Sequence, residues 1–264
     1  MDLHCFQTNT AWEAPEANFS VLSGMVDARA GTEGLEGAVL VFPELCSCGF
    51  SMNTGEVCEE ANGPSYTFFS DLARRHRCYV IAGIALKVEG SNRGANEAVC
   101  FQPDGSELSR YRKVHPFPLA GEGEHYLAGK EAVIFEIDGW KIAPVICYDL
   151  RFPELFRIAA AKGAEVFPVI ANWPTPRVEH WLTLLKARAI ENQAYVLGVN
   201  RCGSDPNLDY PGSSLIVGPM GEEIAKAGAE EACISVSLER APFDEWRAAF
   251  PALGDMKLIT DVTK

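Results

Sequence analysis

Val145-Ile146-Cys147-Tyr148-Asp149-Leu150-Arg151-Phe152-Pro153-Glu154 reads as a strand that stops at a cysteine and a helix that opens at a proline. Pro153 suits the first position of a helix, because the N–H it lacks has no partner there. A strand-to-helix turn of this kind points to an α/β chain. It also leaves Cys147 open enough to react and held firmly enough to aim. Taken alone, the decapeptide serves equally well for a buried structural thiol, the common fate of cysteine.

Outward from this turn, short Val/Ile-rich runs bounded by Gly, Pro or Asn predict further strands. They are Ala38–Phe42, Tyr79–Leu86, Ala98–Gln102, Ala132–Ile137, Lys141–Cys147, Glu165–Ile170, Tyr195–Asn200, Ser214–Val217 and Cys233–Ser237. Apolar residues at helical spacing predict helices over Glu16–Ala30, Ser65–Arg77, Glu154–Lys162 and Glu179–Asn192. Strands interleaved with helices argue α/β, and paired runs without a helix between them, over 79–102 and 132–147, argue a mixed sheet with hairpins. Val41-Phe42-Pro43-Glu44 and Val166-Phe167-Pro168-Val169 form a weak internal echo, each read as the end of a strand. With no low-complexity linker, residues 1–264 are expected to form a single domain.

Composition narrows the function. At 47% hydrophobic and 22% charged residues the chain fits a soluble globular protein with a sizeable core. A net charge of −13 argues against nucleic acid as a partner, since phosphate contact needs a basic face. No apolar run has the ~18 residues a membrane-spanning helix needs, and Met1-Asp2-Leu3-His4 does not resemble a signal peptide. Nine cysteines, odd in number and irregular in spacing, contain no CxxC pair, so a zinc site is not expected. A reduced, cytoplasmic setting follows, and no cofactor or metal is implied.

Three strand ends carry chemistry. Glu44 closes the apolar run Val39–Phe42, Lys113 lies in Tyr111-Arg112-Lys113-Val114-His115 at the entry to the Pro/Gly-rich loop 116–129, and Cys147 ends the third. Each has an ordinary reading, Glu44 as a helix N-terminal charge and Lys113 as one solvated lysine among many. Together they supply what a thiol nucleophile requires. Glu44 can accept the proton, and Lys113 can hold both the thiolate and a developing oxyanion. The five histidines offer no Cys/His pair of papain type.

On these residues the chain resembles the nitrilase, or carbon–nitrogen hydrolase, superfamily. The matching elements are Val-Phe-Pro-Glu44, Tyr111-x-Lys113-x-His115 and Cys147-Tyr148-Asp149-x-Arg151-Phe152. A second glutamate is part of the family pattern. Glu122, seven residues before Gly129, fits it better than Glu124. Asn172-Trp173-Pro174, His180-Trp181, Arg188-Ala189-Ile190-Glu191-Asn192-Gln193 and Asn200-Arg201 extend the likeness and are most similar to the ω-amidase branch. True nitrilases usually carry Cys-Trp-Glu where this chain has Cys147-Tyr148-Asp149. The resemblance implies a four-layer α-β-β-α sandwich with two mixed sheets, commonly a homodimer. It implies a cysteine hydrolase that removes the terminal amide of small ω-amido acids of the 2-oxoglutaramate or 2-oxosuccinamate type.

In that reading Glu44, Lys113, Glu122 and Cys147 are catalytic, and the Tyr148 backbone N–H helps hold the oxyanion. A substrate carboxylate needs a cation. Arg151, Arg177, Arg188, Arg201 and Lys113 are candidates, although Arg151 is expected rather to hold Asp149 or Glu154. Phe117, Tyr148, Trp173 and, less so, Trp181 are candidate pocket walls. The alternatives are an N-carbamoyl amino acid hydrolase or other aliphatic amidase, a thiol redox protein pairing Cys147 with Cys46, Cys48 or Cys202, and an inactive binding subunit.

Overall fold

The computed structural model describes residues 1–258. Six strands build the first sheet: β1 (Asp2–Gln7), β2 (Val39–Val41), β3 (Tyr79–Lys87), β4 (Gly94–Phe101), β5 (Glu107–Arg112) and β15 (Ala232–Ser237), in the order β15-β1-β2-β3-β4-β5. The second sheet contains β6 (Phe135–Ile137), β7 (Trp140–Ile142), β8 (Val145–Ile146), β9 (Val166–Ala171), β10 (Tyr195–Asn200), β13 (Leu215–Val217) and β14 (Glu223–Lys226). Its order is β14-β13-β10-β9-β7-β6, with β8 also on β9. A small hairpin, β11 (Cys202–Ser204) with β12 (Asp209–Pro211), stands apart. Both large sheets combine parallel and antiparallel pairs.

The period of two along each strand sorts side chains between layers. Leu3, Cys5, Val39, Val41 and Ile81 point toward the second sheet and share a core with Val145, Ile146, Val169 and Ile170. Their neighbours Phe6, Leu40, Val80 and Ala82 point the other way, onto α1 (Pro15–Ala30) and α3 (Pro64–His76) through Leu22, Val26, Phe69 and Leu72. On the far face of the second sheet lie α5 (Pro153–Ala161) and α6 (Val178–Asn192), which bury Phe156, Trp181 and Leu185. The result is helix, sheet, sheet, helix, as expected. β9 and β10 are buried on both faces, which explains their nearly unbroken apolar runs. Proline opens α1, α3 and α5.

The differences from expectation have physical causes. The run at 141–147 is two strands, because Pro144 has no N–H for a continuous ladder. Val166–Val169 does not end a strand as Val41–Glu44 does; it begins β9, so the internal echo is not a structural repeat. β1 was not expected, since His4 and Gln7 interrupt its pattern. Both are buried, and Gln7 donates to the carbonyls of Gly228 and Glu230. β5 is a polar edge strand whose Arg110 and Arg112 pair with Glu97 on β4. α7 (Arg240–Ala249) and β14 were likewise not predicted. Two single-turn helices, α2 (Thr54–Val57) and α4 (Glu122–His125), lie in loops. No helix among the described residues is long and apolar enough to cross a membrane.

One close approach links this scaffold to Glu44. Gly83 on β3 donates its N–H to the Pro43 carbonyl and accepts from the Cys46 N–H. A Cβ on Gly83 would come within 2.5 Å of the Glu44 Cα and the Leu45 nitrogen, both backbone atoms. Gly83→Ala is therefore expected to destabilise the protein by about 1–3 kcal/mol and to displace Glu44. Urea unfolding measures the first effect, and a midpoint equal to the parent's would show that the loop yields without cost.

Candidate active site

Glu44 follows β2, Lys113 follows β5, and Glu122 opens α4. All three are buried. Lys113 Nζ donates to Glu44 Oε1 at 2.8 Å and to the two oxygens of Glu122 at 3.0 and 2.8 Å. One ammonium thus serves two carboxylates. Asn96 on β4 gives its Nδ2 protons to the same pair, at 2.7 Å to Glu44 and 2.9 Å to Glu122. Glu44 Oε2 accepts the Asn172 backbone N–H at 2.8 Å, and the Phe117 N–H donates to Glu122. Glu124 is exposed, so Glu122 is the second glutamate of the cluster.

Cys147 opens a 3-10 turn, Cys147–Arg151, with φ of +47°. A non-glycine residue in the left-handed region costs on the order of 1–3 kcal/mol and persists only where its surroundings hold it. Asp149 supplies that hold. Its carboxylate accepts from the Tyr111 hydroxyl at 2.7 Å, the His115 N–H at 2.8 Å and the Ile146 N–H at 3.3 Å, and it meets His115 Nδ1 at 2.7 Å. His115 also stacks on Phe152 with ring centroids 3.7 Å apart. Arg188 fixes the far end of the turn by donating twice to the Leu150 carbonyl, at 3.1 and 2.8 Å. The Tyr148 N–H lies in the first turn, where N–H groups lack an intrahelical acceptor.

Electrostatics set the resting protonation. Burial pushes the Cys147 thiol well up, the Glu44 carboxylate beside it adds to this, and Lys113 opposes it. Burial also pushes Glu44 up, but Lys113 together with the hydrogen bonds from Asn172 and Asn96 outweighs it and holds Glu44 below its usual value. Burial works against the Lys113 charge, and Glu122 and Glu44 more than restore it. The thiol therefore rests protonated beside an ionised Glu44.

A cavity of about 470 Å³ opens beside this cluster, and Cys147 and Asn172 line it. Phe117, Tyr148 and Trp173 form aromatic walls. Phe117 and Tyr148 meet edge to face at 5.0 Å. Arg151, Arg177 and Asp205 are the charged side chains of the lining. The Arg151 guanidinium lies 4.7 Å from the Trp173 ring and its NH1 meets His180 Nδ1 at 3.3 Å, while Arg177 lies 5.4 Å from the Phe117 ring.

Several expectations need correction. Arg151 holds neither Asp149 nor Glu154 and faces the cavity instead. Arg188 is no part of the cavity, because its guanidinium is used on Leu150 and Glu191. Arg201 is buried against the carbonyls of Thr10, Cys202 and Ser204. Lys113 is committed to the two glutamates. Trp181 belongs to the core and donates to the Ser213 carbonyl. Asn96, Asp149 and Asn172 were not picked out from the sequence as site residues. A signal for Asn96 exists, as a lone amide beside Ala95 in a fully buried strand. All nine cysteines are free, and of them Cys147 alone lines the cavity. Among the described residues no cluster of His, Cys, Asp or Glu could hold a metal.

A family model for carbon-nitrogen hydrolases matches residues 5–248. The 2-oxoglutaramate amidase of Bacillus subtilis is 33% identical over 256 residues, 97% of each chain. The omega-amidase YafV of Escherichia coli K12 is 40% identical over 226 residues, 84% of this chain and 86% of that one. Among solved structures, XC1258 from Xanthomonas campestris, a CN-hydrolase superfamily protein with an arsenic adduct in its active site, superposes with a TM-score of 0.90 at 31% identity over 97% of each chain. Sequence pattern, sandwich architecture and extent of match agree, and the chain belongs to the carbon–nitrogen hydrolase family.

Proposed function

We propose that this protein is an ω-amidase, which hydrolyses the terminal amide of small ω-amido acids of the 2-oxoglutaramate or 2-oxosuccinamate type to the carboxylate and ammonia. The observation that carries this reading is a single thiol on the wall of an aromatic cavity, with the buried Glu44–Lys113–Glu122 cluster beside it. The names of the relatives support the substrate class. So do two guanidiniums in the cavity lining, Arg151 and Arg177, neither of them in an ion pair with a carboxylate among the described residues.

The chemistry follows from the resting protonation. Glu44 takes the Sγ proton of Cys147 as the sulfur–carbon bond to the amide carbonyl forms, so no free thiolate has to persist in a buried site. Negative charge moves to the carbonyl oxygen, where the Lys113 ammonium and the Tyr148 N–H stabilise it. The carbon–nitrogen bond breaks as Glu44 returns the proton to nitrogen, and ammonia leaves a thioester on Cys147. Water then gives a proton to Glu44 as its oxygen adds to the thioester carbon. The carbon–sulfur bond breaks, the acid departs and the proton returns to sulfur. Glu122 keeps Lys113 charged and in place.

We take all 264 residues as one catalytic domain of a cytoplasmic homodimer. Its support is the set of nine free cysteines and an apolar patch at the C-terminal end of α6. There Ile190 is 54% and Phe250 62% exposed, beside Met220. Ile190 rests on Gly221, and Gln193 donates to the Phe250 carbonyl.

Ammonia release from 2-oxoglutaramate, and not from N-carbamoyl amino acids, is the expected result of a coupled assay, with Cys147→Ala inactive. The opposite preference would favour the carbamoyl hydrolase reading. Arg151→Gln and Arg177→Gln should each raise KM for the ω-amido acid by about 10- to 100-fold and leave turnover of a neutral aliphatic amide unchanged. Equal loss on both substrates would remove these residues from carboxylate recognition.

Because Glu44 must be ionised and is held low, kcat/KM should stay flat through neutral pH and fall only below the ordinary range of a glutamate carboxylate. Glu44→Gln should cost about 10²–10⁴-fold in rate. An acid limb near pH 6 in the parent would contradict the assignment of Glu44 as base. In sedimentation, Ile190→Glu should convert a dimer to monomers, whereas a dimer of unchanged mass would exclude this face.

A further inference from the structure

We infer that Asn96 is a positioning residue for this reaction, the part that sets the two carboxylates against one ammonium while adding no charge. Its side chain donates one N–H to Glu44 at 2.7 Å and the other to Glu122 at 2.9 Å. Its backbone carbonyl accepts the Lys113 N–H at 3.0 Å. One residue of β4 therefore touches three members of the cluster, and its side-chain donors are both spent on the two carboxylates.

The side chain is poorly explained as a stabilising feature. Asn96 is buried, and its Oδ1 has no hydrogen-bond partner. An orphaned buried acceptor is costly, and native proteins keep few of them. The amide cannot turn over to satisfy it, because both carboxylates require the NH₂ end. The donor must also be neutral. Two carboxylates and one ammonium leave the cluster one charge negative, which favours taking up the Cys147 proton. A second cation at position 96 would cancel that bias, and a carboxylate there would repel both glutamates.

The groups facing Glu44 are Lys113, Glu122, Cys147, Asn96, Asn172 and, farther off, the Tyr126 phenol. Of these, Asn96 and Asn172 lower the basicity of Glu44 by hydrogen bonding alone. Loss of the Asn96 donor should therefore raise the Glu44 pKa and move the acid limb of its chemistry to higher pH. Each N–H bond that a carboxylate accepts favours its ionised form, by about one pH unit per bond.

The test uses Asn96→Leu, close in shape and without donors, and Asn96→Ser, whose single hydroxyl proton can serve only one carboxylate. Two pH profiles are measured for each folded variant: hydrolysis of 2-oxoglutaramate, and alkylation of Cys147 by iodoacetamide. Alkylation depends on Glu44 accepting the thiol proton and is independent of the proposed substrate, so it separates this inference from that reading. In both variants the acid limb should rise, by about one unit in Asn96→Leu and by less in Asn96→Ser, with kcat down about 10- to 100-fold and KM within two-fold of the parent. An unmoved alkylation limb would overturn the inference, as would a raised KM with unchanged kcat. A folded Asn96→Ser variant suffices where Asn96→Leu does not fold.

Discussion

The site rests on one shared ammonium. Lys113 is the cation between Glu44 and Glu122, and all three side chains are withdrawn from water. Burying three charges costs several kcal/mol for each ion unless close geometry and further hydrogen bonds repay it. Asn96, Asn172 and the Phe117 N–H provide those bonds. Every carboxylate oxygen of the cluster is hydrogen-bonded, while its charges do not balance. Such a cluster keeps its cation, and a carboxylate held below its usual pKa gives back readily the proton it has taken, as a base that must later act as an acid requires.

Assembling that cluster is the work of both sheets. Glu44 and Lys113 leave the ends of β2 and β5 in the first sheet, whereas Cys147 and Asn172 leave β8 and β9 in the second. The site lies on the seam, so its geometry depends on how the sheets are registered. Asp149 fixes that register. It belongs to the nucleophile turn, and its main partners, Tyr111 and His115, flank Lys113 in sequence. Asn172 ties the other side, since its Nδ2 donates to the Glu44 carbonyl at 2.7 Å. The strained backbone at Cys147 is thus held between two cross-sheet contacts.

Much of this was legible in the sequence. Glu44, Lys113 and Cys147 each follow a strand, and polar residues at such points stand out against apolar runs. The helices showed because Leu22 with Val26 and Trp181 with Leu185 recur at helical spacing. What stayed hidden depends on contacts between distant residues. β1 is masked by His4 and Gln7, polar residues made tolerable by Arg29, Gly228 and Glu230. β5 is an edge strand whose ion pairs replace an apolar face. Arg151 and Arg188 lie on neighbouring elements, and only their directions decide that one faces the cavity and the other the backbone of Leu150.

The same directions divide the site into two parts. The charges that move protons lie out of the cavity lining, and of the four catalytic side chains proposed only the Cys147 thiol reaches it. In the proposed chemistry the Lys113 ammonium serves the reacting carbonyl, so the cations for a substrate carboxylate are those on the wall, Arg151 and Arg177. Those guanidiniums lie over the Trp173 and Phe117 rings and, among the described residues, pair with no carboxylate. A cation ordered by an aromatic face keeps its charge available, because the ring competes weakly for it compared with an anion. In a protein with net charge −13, an anionic substrate is drawn in by local charge at short range, since nearby pairs outweigh distant ones screened by salt. Substrate choice in this fold can thus change through the wall residues while the buried cluster that performs the chemistry stays as it is.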